Sequence, residues 1–597
     1  MKGGGYILVL GKQITKKIYL VMAVKINRVR VKNFRSLMNV ETTLGNMTLL
    51  LGTNNSGKTS FLRALTVALT SDRKFISRDD LFINKDGNYP ENPRVEVDIE
   101  IKPVGSASFS IEWAQVFGSD IQINPQNEEF FAYKTIVDFS AQQTEAQIKR
   151  YIIKDWDSGN ADENEDVTAN ITKLPLFFID AQRDLQEDLK FAQSYFGRLA
   201  SQIKYDDTQR ERLETALTTL NQESVKNSAV LTHLKTTLEE LNKTVQTRGS
   251  GVEITPFPKK LRDLHKGLKV NFQDGGSETF SLEYHGMGTR SWASLLGYKA
   301  YVNWIKQKAD NDGDLLHPVL ALEEPEAHLH PNAQRQVYGQ LKSVTGQKII
   351  STHSPYIAPL AGLEELRVFY KAEDSTKIAD LKQLVVSLTP KEKHSLETQI
   401  IRARGELFFA RFVVLFEGPT EEGALPIFAK KHWGCEAFEK GVSLTHCSGD
   451  AYKMYIQFLE ALQIPWVIFS DYDNPAVQTK VNRIATDLRA DINNDNRFIL
   501  LNNSLEGYLI DEGYRTEFQN AYFTIKEPEY SDETRKATER TRVERLSDTD
   551  LKNDNTVKNW KSKMAPIWAQ SIIEHANPDL QMPQKIKDLF TFLDQKL

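Results

Sequence analysis

The sequence predicts an α/β protein of two blocks, a P-loop domain interrupted by a helical insertion and then a second α/β domain with a helical C-terminal region. Three observations carry this. Gly52-Thr-Asn-Asn-Ser-Gly-Lys-Thr59 has the G-x-x-x-x-G-K-[ST] spacing and lies between an apolar strand, Met47 to Leu51, and helix-spaced apolar residues from Phe61 to Leu69. Far downstream, Phe412-Val-Val-Leu-Phe-Glu417 and Ile464-Pro-Trp-Val-Ile-Phe-Ser-Asp471 read as buried strands that end in carboxylates. At 597 residues the chain exceeds what one hydrophobic core supports, so two or three domains are expected.

Composition agrees: 40% hydrophobic and 26% charged residues suit folded domains and exclude disordered or fibrous classes. A net charge of −5 excludes a basic protein that coats nucleic acid, so any DNA contact must be local. Only Cys435 and Cys447 occur, too few for a disulfide framework, and both are expected to be small buried residues in a reducing cytoplasm. No apolar run reaches the roughly 18 to 20 residues of a membrane span, which predicts a soluble, cytoplasmic protein with no membrane partner.

Taken in order, residues 1–21 are an extension of uncertain status, since Tyr6 to Leu10 is apolar but Lys12, Lys16 and Lys17 follow at once. Residues 22–184 form the first half of the P-loop domain. There Ile26, Val29 and Val31 alternate with Lys25, Arg28, Arg30 and Lys32 as in a half-buried strand, and residues 94–115 alternate again through Phe109 and Ile111. Asp155 to Asp166 reads as a solvated acidic loop, and Leu174 to Ile179 as a short strand. Residues 185–250 form the insertion, with Leu213, Leu217, Leu220, Leu231, Leu234, Leu238 and Leu241 at helical spacing. It either covers the first core or serves as a dimerisation arm. Residues 251–385 complete the P-loop domain, 386–408 are a linker, and 409–597 form the second domain, helical over 524–563.

The glycines of the loop let successive backbone N–H groups turn toward phosphate. Gly52, Asn54, Asn55, Ser56, Gly57 and Ser60 are therefore assigned to the nucleotide, Lys58 to its terminal phosphates and Thr59 to magnesium. The acidic strand end such a loop needs is supplied by Pro318-Val-Leu-Ala-Leu-Glu-Glu324, with Glu323 on the metal side and Glu324 orienting the attacking water. Glu323 lies 265 positions after Lys58, so something large separates the two halves. This layout resembles the ATP-binding-cassette (ABC) ATPases. Tyr284-His-Gly-Met-Gly-Thr-Arg-Ser291 is similar to their signature, which implies that Gly286, Gly288 and Ser291 contact ATP held by a second subunit. His353, in Ile349-Ile-Ser-Thr-His-Ser-Pro355, resembles the switch histidine at the γ-phosphate. Gln182, in Asp180-Ala-Gln-Arg-Asp184, is either the family's glutamine near magnesium or part of an ordinary turn. Glu326-Ala-His-Leu-His-Pro331 resembles the subunit-contact loop; zinc at His328 and His330 is disfavoured for want of further ligands.

In the second block, Glu417, Glu421, Asp471, Asp473 and Glu506 fall at or just after apolar strands, and strand ends of a parallel sheet converge on one edge. Thr420 is placed to cap the helix that returns Glu421 to that edge. Oxygen-only donors suit Mg²⁺ or Mn²⁺, two of which can bind the attacking and leaving oxygens of a phosphodiester. Glutamate followed by the spaced pair Asp471 and Asp473 resembles the TOPRIM domain. An ABC-type ATPase followed by TOPRIM resembles the OLD (overcoming lysogenisation defect) family, over nearly the whole chain.

That resemblance implies an ATP-hydrolysing, metal-dependent DNA endonuclease that forms a homodimer or higher oligomer through its ATPase domains. It also implies a role in bacterial antiphage defence, with a helicase partner if the protein is Gabija-like or a reverse transcriptase if retron-like. The implied catalytic set is Glu324, His353, Glu417, Asp471, Asp473 and a C-terminal lysine, for which Lys563 is preferred to Lys561. Asp450 ligates a second ion or caps a helix. Basic residues for DNA are Arg28, Arg30, Lys32 and Arg35, or Arg535, Lys536, Arg540, Arg542 and Arg545. The alternative is a nucleic-acid-sensing or partner-binding ATPase whose TOPRIM domain binds without cutting.

Overall fold

The computed structural model describes residues 24–70, 76–139, 147–182, 194, 205–244, 256–257, 271–273, 279–373, 375–447 and 451–597. The 1–21 extension, much of the 185–250 insertion and Asp450 lie outside them.

The chain opens with β1 (Val24–Phe34), β2 (Leu37–Thr43) and β3 (Met47–Leu51), then enters helix α1 (Lys58–Leu69). Next come β4 (Arg94–Pro103), β5 (Ile121–Ile123), β6 (Glu129–Asp138), β7 (Gln147–Ile153) and β8 (Ala161–Asp166). These join the first two strands in an antiparallel sheet ordered β2-β1-β4-β6-β7-β8, with β5 beside β6. Two departures from expectation occur here. Ile111 does not continue the strand alternation but starts a short helix capped by Ser110, and is exposed. The acidic run expected as a loop is half strand: β8 is an edge, and its exposed Glu163, Asn164, Glu165 and Asp166 suit an edge that must not recruit another chain.

After β9 (Leu176–Ile179), helices α2 (Asp207–Asn227) and α3 (Ala229–Thr244) pack on each other in the expected insertion. A small hairpin follows, β10 (Asn271–Gln273) with β11 (Thr279–Ser281), and then α4 (Met287–Asn311), β12 (Val319–Glu323), α5 (Pro331–Lys342), β13 (Gln347–Ser351), β14 (Leu366–Ala372) and β15 (Ser375–Asp380). The second sheet runs β15-β14-β3-β13-β12-β9 and is parallel except at β15. Strands β3, β9 and β12 are mainly apolar, as strands covered on both faces are. Leu49, Leu51, Leu320, Leu322 and Ile350 point into one core, while Leu50, Val319, Ala321 and Ile349 point into the other, where Phe61, Leu62 and Leu65 of α1 lie between the two sheets. Each such fully buried side chain contributes about 1.5–3 kcal/mol.

The segment expected as a linker is packed. Leu396, Ile400, Ile401, Leu407 and Phe408 are buried in the core shared with Leu49 and Leu51 on one side and Val413 and Leu415 on the other. The C-terminal region carries β16 (Phe412–Phe416), α6 (Pro419–Trp433), β17 (Val442–His446), α7 (Tyr452–Ala461), β18 (Trp466–Asp471), α8 (Pro475–Asp487) and β19 (Phe498–Leu501). All four strands are parallel, ordered β17-β16-β18-β19. Pro419 in the first turn of α6 and Gly434 at its end, with φ of 70°, mark the helix limits that local chemistry favours. Val467 and Phe469 face a third core built with α6, α9 (Leu505–Asp511), α10 (Arg515–Lys526), α11 (Glu533–Glu544), α12 (Lys561–Ile573) and α13 (Gln584–Asp594). Among the described residues no helix is long and apolar enough to cross a membrane.

Candidate active sites

Three neighbouring strands bring the first site together. The loop leaves β3, Glu323 ends β12, and the strand between them, β13, leads to His353. Glycine is required at two loop positions: Gly52 has φ of 136° and a Cβ there would meet Phe369 O at 2.2 Å, while Gly57 has φ of 103° and a Cβ would meet Thr376 Oγ1 at 2.7 Å. Thr53, Asn54 and Asn55 are exposed at the crest, Ser56 and Gly57 are buried beneath it, and Ser60 is half-buried in the first turn of α1. Lys58 Nζ donates to Gly52 O at 3.0 Å, Thr53 O at 2.9 Å and Ser56 Oγ at 3.3 Å. Burial lowers its pKa to about 8, opposed by the charges of Glu324, Glu326 and Glu323.

Thr59 Oγ1 donates to Glu323 Oε1. Burial holds the Glu323 carboxyl above its usual range, an effect that this hydrogen bond opposes and the charge of Asp180 reinforces. Glu324 sits at φ of 43°, a strained conformation for a residue with a side chain, and its Oε1 lies 3.9 Å from His353 Nε2. Burial and the charge of Lys58 push His353 down to about 4, so the ring is neutral at neutral pH.

Sequence reasoning missed the group that positions this histidine. Buried Glu326 accepts from Thr352 Oγ1 at 2.8 Å and from the His353 backbone N–H at 2.7 Å. The available signal was a third glutamate one proline beyond the acidic pair. Asp180, at the end of β9, was likewise missed; it pairs with Arg63 at 3.2 Å. Gln182 is exposed on the turn that follows, its N–H bonded to Asp180 Oδ1 at 3.1 Å, as an ordinary turn would have it.

The signature-like residues divide. Gly286 is exposed and Gly288 packs so tightly that a Cβ would come 2.6 Å from His328 O, but Ser291 is 3% exposed on the inner side of α4. A helix turns about 100° per residue, so Ser291 cannot share the outward face of Gly286. That burial gives no support to the expected contact of Ser291 with a second subunit's ATP. His330 caps α5, its Nδ1 accepting from the Asn332 N–H at 3.3 Å.

The second site lies at the C-terminal edge of the four-stranded sheet. Glu417 follows β16 and is half-buried; its charge bears on Cys447 and Tyr452. Cys447 is buried as expected, whereas Cys435 is only half-buried. Glu421, in the first turn of α6, is 4% exposed, and Glu506, in the first turn of α9, is 7% exposed. Thr420 does not cap its helix, whose N-cap is Gly418; its Oγ1 donates to Glu506 Oε1 at 2.9 Å. Asp471 Oδ1 accepts from the Leu505 N–H at 3.0 Å, and Asp473 Oδ1 accepts from Asn474 Nδ2 at 2.9 Å.

Burial, with the facing charges of Glu421, Glu506 and Asp473, pushes Asp471 up to about 8. Glu421 is raised by burial and by Glu506. The opposing cation is Lys561, whose Nζ lies 3.4 Å from Glu506 Oε1; these carboxylates raise its pKa despite its burial. Lys563, the residue preferred from sequence, instead rests over the Trp560 ring at 4.5 Å. Two positions along a helix are about 200° apart, so only one of the two lysines faces the carboxylates.

Among the described residues no three His, Cys, Asp or Glu side chains are gathered closely enough to enclose an ion. The five carboxylates therefore do not enclose an ion by themselves. Their chemistry nonetheless fits Mg²⁺ or Mn²⁺, hard ions that take one or two carboxylates and keep several waters. Glycine at 418 leaves room for the Glu421 carboxylate, since a Cβ there would lie 2.9 Å from Glu421 Oε2.

The basic strand offers no free charge. Arg28 pairs with Glu100 at 2.6 Å, Arg30 with Glu41 at 2.9 Å and Asp98 at 3.2 Å, Lys32 with Glu96 at 3.8 Å and Arg35 with Asp80 at 2.7 Å. On α11, Lys536, Arg540 and Arg542 pair with Glu533, Glu527 and Glu539, while Arg535 and Arg545 are exposed.

Two contacts join the sites. The His353 ring lies 6.2 Å from the Phe409 ring, and Gly405 fits so closely that a Cβ would meet Pro355 O at 2.4 Å. Phe409 stands three residues before β16, the strand that delivers Glu417.

Residues 24–358 match the family model described as AAA ATPase domain, and residues 408–473 that described as Overcoming lysogenization defect protein-like, TOPRIM domain. The chain is 26% identical over 481 residues to the OLD nuclease of Thermus scotoductus, covering 75% of this chain and 82% of that one. It is 20% identical over 526 residues to Endonuclease GajA of Bacillus cereus, with 75% and 74% covered. To the Old nuclease of Escherichia phage P2 it is 24% identical over 484 residues, with 76% and 78% covered.

Proposed function

The chain belongs to the OLD (overcoming lysogenization defect) family, an AAA-type ATPase joined to a TOPRIM domain, and on that premise we propose that it is an ATP-hydrolysing, metal-dependent DNA endonuclease. The observation that carries the reading is the convergence of Glu421, Asp471, Glu506 and Lys561 at one edge of a parallel sheet. Glu417, Glu421, Asp471, Asp473 and Glu506 are the residues that would hold Mg²⁺ or Mn²⁺, which would supply Lewis-acid stabilisation of the phosphodiester oxygens. Lys561 stabilises charge that develops on the phosphate, while Thr420 and the Leu505 N–H fix Glu506 and Asp471.

At the other site Lys58, now on its backbone carbonyls, would turn to the terminal phosphates of ATP, Thr59 and Glu323 would hold Mg²⁺, and Glu324 would orient water beside neutral His353. Gly286 and Gly288 of a second copy complete this site, which makes the active form a homodimer or larger. The contact of His353 with Phe409 is the route by which nucleotide state governs cutting. The family resemblance makes a defence role part of the proposal, with a helicase or a reverse transcriptase as the partner to seek.

Nicking of supercoiled plasmid by wild type and Asp471→Ala in Mg²⁺ or Mn²⁺ tests the reading. Wild type alone should nick, and equal nicking by both would remove the assignment. A protein that turns over ATP and binds DNA but never cuts is instead a sensing ATPase.

A further inference from the structure

Asp473 and Glu506 form one wall of a cleft of about 540 Å³ that opens beside the carboxylates. Phe518, Leu551 and Val557 make its buried floor, and Thr549, Lys552, Asn553 and Lys558 its far wall. Three lysines line it, and their charges are not equivalent. Lys561 is matched by Glu506 at 3.4 Å, and Lys552 by Asp511. Lys558 is exposed, and among the described residues its ammonium is held only by the neutral Asn553 Oδ1, at 3.3 Å.

We propose that this cleft receives the DNA backbone next to the scissile phosphate and that Lys558 binds the neighbouring phosphodiester. The proposal rests on the endonuclease reading. A strand entering past Asp473 and Glu506 carries negative charge toward negative charge, and is held only where a cation remains to be matched. Lys561 serves the carboxylates and the scissile phosphate, and Lys552 is committed to Asp511, which leaves Lys558 for the neighbouring phosphodiester. Asn553, already bonded to its ammonium, restrains the long side chain and lowers the entropy lost on binding.

The test uses the full chain with Lys558→Ala and Lys558→Arg. Anisotropy of a labelled duplex in EDTA across a salt series reports binding, and plasmid nicking in Mg²⁺ reports KM and kcat. Lys558→Ala should raise KM and Kd by roughly three- to tenfold and reduce the slope of log Kd against log salt by about one, with Lys558→Arg near wild type. Its kcat at saturating DNA, ATP turnover and melting temperature should match wild type. Wild-type KM and salt slope in Lys558→Ala would overturn the proposal, as would a loss of kcat at unchanged KM. Inhibition by inorganic phosphate that disappears in Lys558→Ala while KM for DNA stays fixed would show a free-anion site and also overturn it. If wild type neither binds nor cuts DNA, the endonuclease reading falls and takes this proposal with it; wild type that cuts beside an indifferent Lys558→Ala removes this proposal alone.

Discussion

At the P-loop the polypeptide answers its own charges, while at the second site it sets like charges against one another. Lys58 donates to two carbonyls and a hydroxyl of its own loop, and Thr59 reaches Glu323 directly. Burial and the facing charge of Glu506 instead raise Glu421, and burial with the charges of Glu421 and Glu506 raises Asp471, with Lys561 as the compensating cation. Both sites use the C-terminal edge of a parallel sheet. A phosphate cradle made from backbone dipoles satisfies its own polar groups within one chain, whereas a cation site made from carboxylates keeps part of its electrostatic cost until a proton, a lysine or a metal ion offsets it.

The sharpest way to break this comparison is reciprocal mutation. Lys58→Ala should lower ATP turnover about a thousandfold or more, and Asp471→Ala should lower nicking by a similar factor while leaving ATP turnover intact. If either variant impaired both reactions equally, the sites would not be chemically separate. A step smaller, Lys561→Ala should cost about a hundredfold in nicking and Lys563→Ala no more than about threefold, read from initial rates at saturating DNA. The reverse ranking would restore the lysine preferred from sequence.

Coupling should be smaller again. Phe409→Ala removes the ring against His353, and the ratio of nicking rates with and without ATP should shrink by about fivefold or more while ATP turnover persists. An unchanged ratio would place the coupling elsewhere. The smallest effect is on stability. Asp471 has a folded pKa raised from 3.8 to about 8, so the metal-free folded chain holds its proton where the unfolded chain has released it. This contribution is fully present below about pH 4 and is lost as pH rises through about 8. Melting temperature in EDTA should therefore fall across that window, less steeply in Asp471→Asn, and added Mg²⁺ should oppose the fall near pH 8. A variant as steep as wild type would show that Asp471 is not the titrating group.

What could be read from sequence was what depends on neighbouring residues. The glycine spacing, the apolar strand before it and the acids that end β12, β16 and β18 are local patterns, and each stands at the expected sheet edge. What could not be read depends on helix phase or distant pairing. Whether Lys561 or Lys563 faces the carboxylates is set by where α12 starts, and Ser291 is buried by the way α4 rolls onto its core. Thr420 looks like a cap until α9, 86 positions later, brings Glu506 to it. Arg28 reads as a DNA contact because Glu100, its partner across the sheet, is 72 positions away. The acidic β8 looked like a loop because an edge strand with no apolar face carries no alternation to detect.

Control of cutting by the P-loop site, through the bridge around Phe409, is tested by the initial rate of plasmid nicking in Mg²⁺ as ATP is titrated, for wild type beside Lys58→Ala. The rate should change with ATP in wild type and stay flat in Lys58→Ala. A rate indifferent to ATP in wild type, or one that responds equally in both, would contradict it.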